Sequence, residues 1–139
     1  MTEEVYRFLT APRETLKEIR ELQVRIKGLE DAMLPSSIRY DKDRVQGTRT
    51  DPMAVFAERV DALVGKIDEL RLIYFDQIKA VEDEIGRLKN PNERYVLTMR
   101  YVHRVRYEDI AESMYYSIRR VYDLHRSGTA KIRVPQRLQ

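Results

Sequence analysis

Arginines recur at seven-residue intervals near the end of the chain. Arg119, Arg126 and Arg133 are two helical turns apart, so they form a stripe if this segment is an α-helix. Guanidinium groups on such a stripe could bind phosphates or the hydrogen-bonding edge of guanine. An ordinary solvated face is the alternative, because charged residues are mostly exposed in proteins. Asp123 lies between the first two arginines, where it could pair with either.

Few other side chains suggest catalysis or metal binding. Cysteine is absent, which excludes disulfides and thiolate metal sites. His103 and His125 lie in different predicted helices, with no cluster of carboxylates around them. Ser113, Ser117 and Ser127 lack a plausible adjacent base, and the scattered glycines form no phosphate-binding loop. We therefore expect no enzymatic activity, no cofactor and no metal site.

The stripe falls on a predicted helix over Ser117–Ala130. Ser117 is a favourable N-cap residue, because its hydroxyl can accept a hydrogen bond from an unpaired N–H of the first turn. Val121, Leu124 and Gly128 share the face opposite the arginines. The spacing thus predicts one buried face and one basic face.

Two shorter helices are predicted before it. Asn90, Pro91 and Glu93 are typical of a helix start with a capping box, and a polar break at 102–104 ends this helix. Tyr107–Met114 is a second helix, with an acidic first turn that suits the helix dipole. The last two helices have the spacing of a helix-turn-helix, whose second helix enters the DNA major groove. The predicted core of the three helices is Val105, Ile110, Ala111, Val121 and Leu124.

Three stretches of this segment carry a family resemblance: ERYVLTMRYV, YEDIAESM and SIRRVYDLH. Together they resemble the fourth conserved region of bacterial sigma factors. The last stretch has the pattern Ser-x-x-x-Val-Tyr-x-Leu-His, which is similar to phage-encoded late-gene transcriptional activators of the ArpU and RinA type. The residues that form this pattern are Ser117, Val121, Tyr122, Leu124 and His125.

The chain departs from the family pattern at its turns and at the end of the last helix. Arg104 and Tyr115 stand where glycine, or another residue suited to a left-handed backbone, is usual, and Arg106 stands where a Ser or Thr cap is usual. Gly128 and Thr129 replace an Ala-Leu pair that packs the last helix down. Each departure weakens the local structure by roughly 0.5–1 kcal/mol. The module is therefore expected to depend on the rest of the chain.

The resemblance implies a sequence-specific DNA-binding transcription regulator, namely a phage late-gene activator that works with RNA polymerase in the cytoplasm of a bacterial host. If the last helix enters the major groove, Arg119 is placed to bind guanine, and Arg120 and Lys131 are placed to bind phosphate. The full set of expected DNA contacts is Ser117, Arg119, Arg120, Tyr122, Asp123, Arg126, Lys131 and Arg133. Two alternatives remain open: the DNA-recognition small subunit of a phage terminase, and a helical adaptor that uses the same module to bind protein.

The distribution of charge supports a partner that is a polyanion. From residue 91 onward there are 10 basic and 5 acidic residues, whereas residues 1–90 contain 16 basic and 18 acidic residues. The net charge of +3 therefore arises from the segment that holds the predicted helix-turn-helix. No apolar run approaches the roughly 20 residues that a membrane-spanning helix needs, so no membrane association is expected.

An all-α fold is predicted throughout, and residues 1–89 are expected to form a long helical hairpin of the coiled-coil kind. Its first helix is Thr10–Met33, with Thr10 as the cap and Pro12 in the first turn. A polar connector follows at 34–51 and is expected to be a loop that joins the two helices. The alternative is a basic loop that contacts DNA or polymerase. The second helix is Asp51–Lys89; its apolar seam faces the first helix at the start and the module of residues 90–133 at the end. Residues 134–139 are expected to be a flexible basic tail.

Pairing of two helices of unequal length would leave part of the apolar seam bare, and a second copy of the chain is its natural cover. We therefore predict a homodimer formed through the long helices. Sedimentation velocity at micromolar protein should show the dimer mass. Detection of the monomer alone would exclude the dimer and leave the hairpin prediction intact.

Overall fold

The computed structural model describes residues 1–33 and 51–136, and every regular element in these ranges is helical. The all-α prediction is thereby confirmed for the described residues. The elements are α1 (Glu3–Ala32), α2 (Pro52–Ile85), α3 (Pro91–Leu97), a π-helical turn (Thr98–Val102), α4 (Tyr107–Met114) and α5 (Ile118–Thr129). The predicted connector lies outside the described residues except for residue 51, and the predicted tail is described only as far as residue 136.

The first helix begins at Glu3, and the predicted start at Thr10 is wrong. Thr2 caps the helix, because its hydroxyl oxygen accepts a hydrogen bond from the N–H of Val5 at 3.2 Å. The Thr10 hydroxyl instead donates to a backbone carbonyl one turn earlier at 2.7 Å. Pro12 lies inside the helix, where it lacks the N–H that would continue the hydrogen-bond ladder. Burial of the apolar side chains of the first turns outweighs this local cost.

The described residues group into two compact units, and each long helix contributes to both. The first unit contains residues 1–14 and 74–136, and the second contains residues 15–33 and 51–73. The sequence placed a boundary between residues 89 and 90, whereas the structure groups the start of α1 and the end of α2 with the C-terminal helices. The arginine-bearing helix α5 therefore belongs to a unit that includes residues more than 100 positions earlier in the chain.

In the second unit, α1 and α2 run antiparallel. Its core contains Ile19 and Leu22 of α1 and Ile67 of α2. Leu29 near the end of α1 lines the same surface depression as Phe56 near the start of α2, which fixes the relative direction of the helices. The apolar spacing that predicted the seam therefore places these side chains against α1.

Over residues 56–70 the seam side chains are buried or half-buried, so the predicted bare seam is not found there, whereas Met53 at the start of the predicted seam is 55% exposed. The correction follows from the length of α1, which at 30 residues nearly matches the 34 residues of α2. Exposed apolar side chains of α2 in this unit lie mainly off the seam: Val64, Leu72 and Ile73 are 43%, 69% and 47% exposed. A homodimer stays a prediction, and only the start of the seam is left bare to support it.

Two apolar clusters form the core of the first unit. The first joins the start of α1, the end of α2 and the segment after α5 through Val5, Phe8, Leu9, Ala80, Val81, Ile85, Leu88, Leu97 and Ile132. The second joins α3, α4 and α5 through Val96, Ile110, Ala111 and Val121, with Val105 and Leu124 half-buried beside them. Val96 and Leu97 are adjacent, fully buried, and point into different clusters. The short helix α3 therefore connects the two halves of the core.

Helix α5 approaches α3 closely at Gly128. A Cβ atom at this position would lie 3.1 Å from Cδ1 of Leu97 and 3.3 Å from Cβ of Glu93. Leu97 is fully buried and Glu93 nearly so, so neither neighbour has free space to move into. Gly128 thus permits the close contact between the two helices, although in the sequence it stood out only as a departure from the family pattern.

We expect Gly128→Val to lower the free energy of unfolding by about 1–3 kcal/mol, because the added side chain overpacks the contact with α3. The matched control is Gly65→Ala, where an added Cβ would meet nothing within 4 Å. That control should raise stability by about 0.5–1 kcal/mol through helix propensity. Urea denaturation followed by circular dichroism measures both. A Gly128→Val variant as stable as the wild type would refute the close packing.

Candidate nucleic-acid interface

The turn between α4 and α5 is fixed by backbone hydrogen bonds. Tyr115 ends α4 with φ 57° and ψ 36°, in the left-handed region. The N–H of Tyr116 donates to the carbonyl of Ala111 at 3.0 Å, which is the pattern typical of a left-handed helix end. Ser117 then caps α5, and its hydroxyl oxygen accepts from the N–H of Arg120 at 3.2 Å. The predicted N-cap and the predicted extent of α4 are both confirmed.

Two of the positions at which the sequence departs from the family pattern have a left-handed backbone. Arg104 and Tyr115 both have φ 57°. Such a conformation costs a residue other than glycine about 1–2 kcal/mol. The Tyr115 side chain is 95% exposed, so burial within this chain does not compensate for the strain. Because strained backbone positions cluster at functional sites, Tyr115 is a candidate functional residue.

Helix α5 has the two faces that the sequence predicted. Val121 and Gly128 are buried against the preceding helices, whereas Arg119, Asp123 and Arg126 are exposed. Nη1 of Arg126 lies 3.5 Å from Oδ1 of Asp123. The Arg119 guanidinium has no hydrogen bond or ion pair with any residue that the structure describes, so the expected Arg119–Asp123 pair is not formed.

The flanks of α5 are occupied by aromatic contacts. The Arg120 guanidinium lies 4.6 Å from the centre of the Tyr116 ring, which orients it along the edge of the helix. Tyr122 is 42% exposed and packs edge-on against Tyr107, with ring centres 5.0 Å apart. These contacts restrict the rotamers of Arg120 and Tyr122 before any partner binds.

Arg133 does not continue the stripe, because α5 ends at Thr129. The N–H of Arg133 donates to Oε1 of Glu84 at 3.0 Å, and Ile132 is buried in the first cluster, so the chain leaves the helix here. The predicted seven-residue continuation to Arg133 is therefore wrong. Tertiary contacts decide the path of the backbone after α5.

Lys131 is already engaged within the chain. Its ammonium contacts both carboxylate oxygens of Glu93, at 2.8 and 3.1 Å, and the Ser127 hydroxyl donates to the same carboxylate at 2.5 Å. The Glu93 side chain is only 3% exposed. Burial by itself would raise the pKa of Glu93, but the hydrogen bonds from Lys131 and Ser127 and the charge of Lys131 outweigh it, so this pKa is lowered.

Glu93 does not form the predicted capping box. The Asn90 side chain does cap α3, accepting from the N–H groups of Asn92 at 2.9 Å and Glu93 at 3.3 Å. The Glu93 carboxylate points toward α5 instead, where it forms the contacts with Lys131 and Ser127. Sequence analysis missed this cluster because residues 93, 127 and 131 become neighbours only when α5 folds onto α3.

A second polar contact that sequence analysis missed joins the π-helical turn to α5. The Tyr101 hydroxyl and Nε2 of His125 are 2.5 Å apart. Burial raises the pKa of the Tyr101 phenol, and burial together with the charge of Arg100 lowers the pKa of His125. Both shifts favour a phenol that donates to a neutral imidazole. The five-residue π-helical turn supplies Tyr101 to this contact.

No protein-family model, no curated protein and no solved structure matches this chain. Within residues 1–33 and 51–136, no helix is long and apolar enough to cross a bilayer. In the same ranges no three His, Asp or Glu side chains are grouped so that they could hold a metal ion.

We expect Lys131→Ala to lower the free energy of unfolding by about 1–3 kcal/mol at pH 7, because it leaves the buried Glu93 carboxylate without its charged partner. In the wild type the pKa of Glu93 is below its ordinary value of 4.5, so the pair stabilises the fold above that pH and loses its effect as the pH falls through the lowered pKa. The deficit of the variant should therefore shrink as the pH falls through the lowered pKa, because the wild type then loses the same ion pair.

Urea titrations at pH 7 and pH 3.5 test this expectation. The control is Lys89→Ala, which removes an equal charge from an exposed lysine with no ion pair among the described residues; it should change stability by no more than about 0.5 kcal/mol. If the two variants unfold at the same urea concentration at pH 7, the Glu93–Lys131 pair does not stabilise the fold.

Proposed function

We propose that this protein is a sequence-specific regulator of transcription that binds double-stranded DNA, with α4 and α5 as a helix-turn-helix. The observation that carries the proposal is the orientation of α5. Its buried face is Val121 and Gly128, and the face directly after its N-cap presents Arg119 with no intramolecular partner among the described residues. A helix of 12 residues with this orientation can enter the major groove with its first turns against the bases.

The individual roles follow from position along α5. Arg119 is two residues beyond the Ser117 cap and is the residue we propose to bind O6 and N7 of a guanine. Asp123 and Arg126 form a pair one turn further, so Asp123 can accept from a cytosine amine or orient Arg126. Arg120, held against Tyr116 at the edge of the helix, is placed for a backbone phosphate.

The remaining expected contacts are assigned by exposure. Tyr122 is partly exposed and could contact a base or sugar at the groove edge, and the exposed Tyr115 hydroxyl in the turn is a further candidate donor to phosphate. Arg133 is exposed beyond the helix and can approach the backbone. Lys131 is a weaker candidate for phosphate binding than the sequence suggested, because its charge is compensated by Glu93.

The resemblance to phage late-gene activators supports a more specific proposal: activation of phage late genes together with host RNA polymerase, in the bacterial cytoplasm. The excess of basic residues after residue 90 supports a nucleic-acid partner over an acidic or neutral one. A terminase small subunit would also bind DNA through such a module, and an adaptor would use the same face of α5 on a protein. The DNA-binding experiment below separates the adaptor from the other two.

We expect Arg119→Ala to weaken binding to the preferred DNA by about 1–3 kcal/mol and to relax the preference at one base pair, because one bidentate base contact is lost. The preferred duplex is first selected from a random-sequence pool with the full chain. Fluorescence anisotropy on this duplex and on a scrambled one then gives both affinities at fixed salt.

Two further variants serve as controls. Arg133→Ala should weaken binding to both duplexes alike. It should also reduce the slope of log affinity against log salt concentration by about one, because one phosphate contact is lost. Lys17→Ala removes a charge from the exposed face of α1 and should leave both affinities unchanged. If Arg119→Ala weakens both duplexes equally, or neither, Arg119 does not contact a base. A pool that yields no preferred sequence would favour the protein-binding adaptor.

A further inference from the structure

A basic pocket lies in the first unit, apart from the exposed face of α5. It has a volume of about 240 Å³ and is bordered by the start of α1, the π-helical turn and residues of α4 and α5. Its polar lining is formed mainly by Arg13, Arg100, Arg104, Tyr6, Tyr101 and Tyr107. No aspartate or glutamate lines it. Three arginines therefore line one concave surface without an acidic lining residue to balance them.

The charges of two of these arginines are not balanced elsewhere. Nη1 of Arg100 donates to the carbonyl of Val105 at 3.3 Å, and its guanidinium lies 4.3 Å from the centre of the Tyr107 ring. Nη1 of Arg104 donates to the hydroxyl of Tyr74 at 3.3 Å. Neither arginine forms an ion pair with a carboxylate among the described residues. Each also keeps guanidinium N–H groups beyond these contacts, because the side chain has five.

Arg13 contributes a third cation. Its guanidinium is 3.6 Å from the exposed carboxylate of Glu14 and 3.5 Å from the hydroxyl of Tyr6. An ion pair that is about half exposed on both sides is worth little, because water screens it. Arg13 can therefore turn toward a ligand in the pocket at small cost.

The backbone conformation at Arg104 is an independent observation that supports a role for its side chain. The residue has φ 57°, where glycine would be favoured by about 1–2 kcal/mol. Arg104 lines the pocket, and a glycine at this position would lack its cationic side chain. An arginine at a strained position is explained if its guanidinium has a ligand.

We propose that this pocket binds the phosphate group of a small anionic ligand. Guanidinium groups match the oxygens of phosphate in geometry and charge, and tyrosine hydroxyls supply further donors. The volume is below the roughly 300–1,000 Å³ of most drug-sized ligand pockets, which favours a phosphate with a small substituent over a nucleotide cofactor. His125 borders the pocket with its Nε2 on the Tyr101 hydroxyl, so the positive charge of the lining comes from the arginines.

The pocket is connected to the proposed DNA-binding helix through aromatic contacts. Tyr107 lines the pocket and packs against both Tyr122 and His125 of α5, with ring centres 5.0 and 5.5 Å apart. A bound phosphate would thus contact groups attached to α4 and α5. The phosphate site itself does not rest on the DNA-binding proposal, because its occupancy is measured without DNA.

The test is a titration of the full chain with inorganic phosphate, at constant ionic strength maintained with chloride. Proton NMR signals of the His125 ring and calorimetric heat report binding. We expect saturation with one phosphate per chain, and Arg104→Gln should weaken the affinity about tenfold, because one charge-assisted contact is lost. Arg100→Gln should do the same, and Arg104→Lys should restore part of the affinity.

Lys89→Gln is the matched control, since it removes one exposed positive charge from the same unit away from the pocket. It should bind phosphate as the wild type does. Arg104→Gln remains informative if Arg100→Gln fails to fold, because Arg104 is exposed and its guanidinium has one hydrogen-bond partner, the Tyr74 hydroxyl, among the described residues. Circular dichroism establishes that each variant is folded.

Three outcomes would overturn the proposal. Phosphate and chloride could shift the His125 signals equally, which would indicate general screening. Arg104→Gln could match Lys89→Gln in phosphate affinity. Phosphate could also fail to bind the wild type while Arg104→Gln weakens duplex DNA binding, which would assign these arginines to the DNA backbone. Failure of the proposed DNA function is distinguishable, because it would leave phosphate saturation unchanged.

Discussion

The close approach of α5 to α3 is the constraint on which the first unit depends. Gly128 allows it, because any side chain there would meet Leu97 and Glu93 at about 3 Å. The same approach encloses the Glu93 carboxylate and brings Ser127 and Lys131 to it. A buried carboxylate is tolerated only when it is paired and hydrogen-bonded, so the packing and the polar cluster require each other.

The charged groups on the two sides of α5 differ in whether they have partners within the described chain. On the side facing α3, Glu93 is matched by Lys131 and Ser127, and no buried side-chain polar atom among the described residues is left without a partner. On the outer face, Arg119 has no partner in the described chain. Near the π-helical turn, Arg100 and Arg104 have polar contacts and no described carboxylate. The buried charge on the inner face is thus paired within the chain. The arginines on the other two surfaces keep positive charge that no described carboxylate balances, and an anion could reach it.

The strained residues are found next to these basic surfaces. Tyr115 in its left-handed turn directly precedes α5, and Arg104 in the same conformation borders the pocket. A glycine at either position would fold with less strain, and neither Tyr115 nor Arg104 is buried. Both side chains are therefore better explained by contact with a ligand than by packing, which is the basis for including them among the candidate functional residues.

The sequence by itself determined the local structure: helical elements throughout the described residues, the extent of α4, the Ser117 cap and the two faces of α5. Cap chemistry and helical periodicity involve residues within one or two turns, so they can be read without the fold. Only the tertiary structure decided that α1 starts at Glu3, that α5 stops before Lys131, and that Glu93 pairs across 38 residues. Each of these is set by burial against distant parts of the chain, which outweighs local propensities of about 1 kcal/mol.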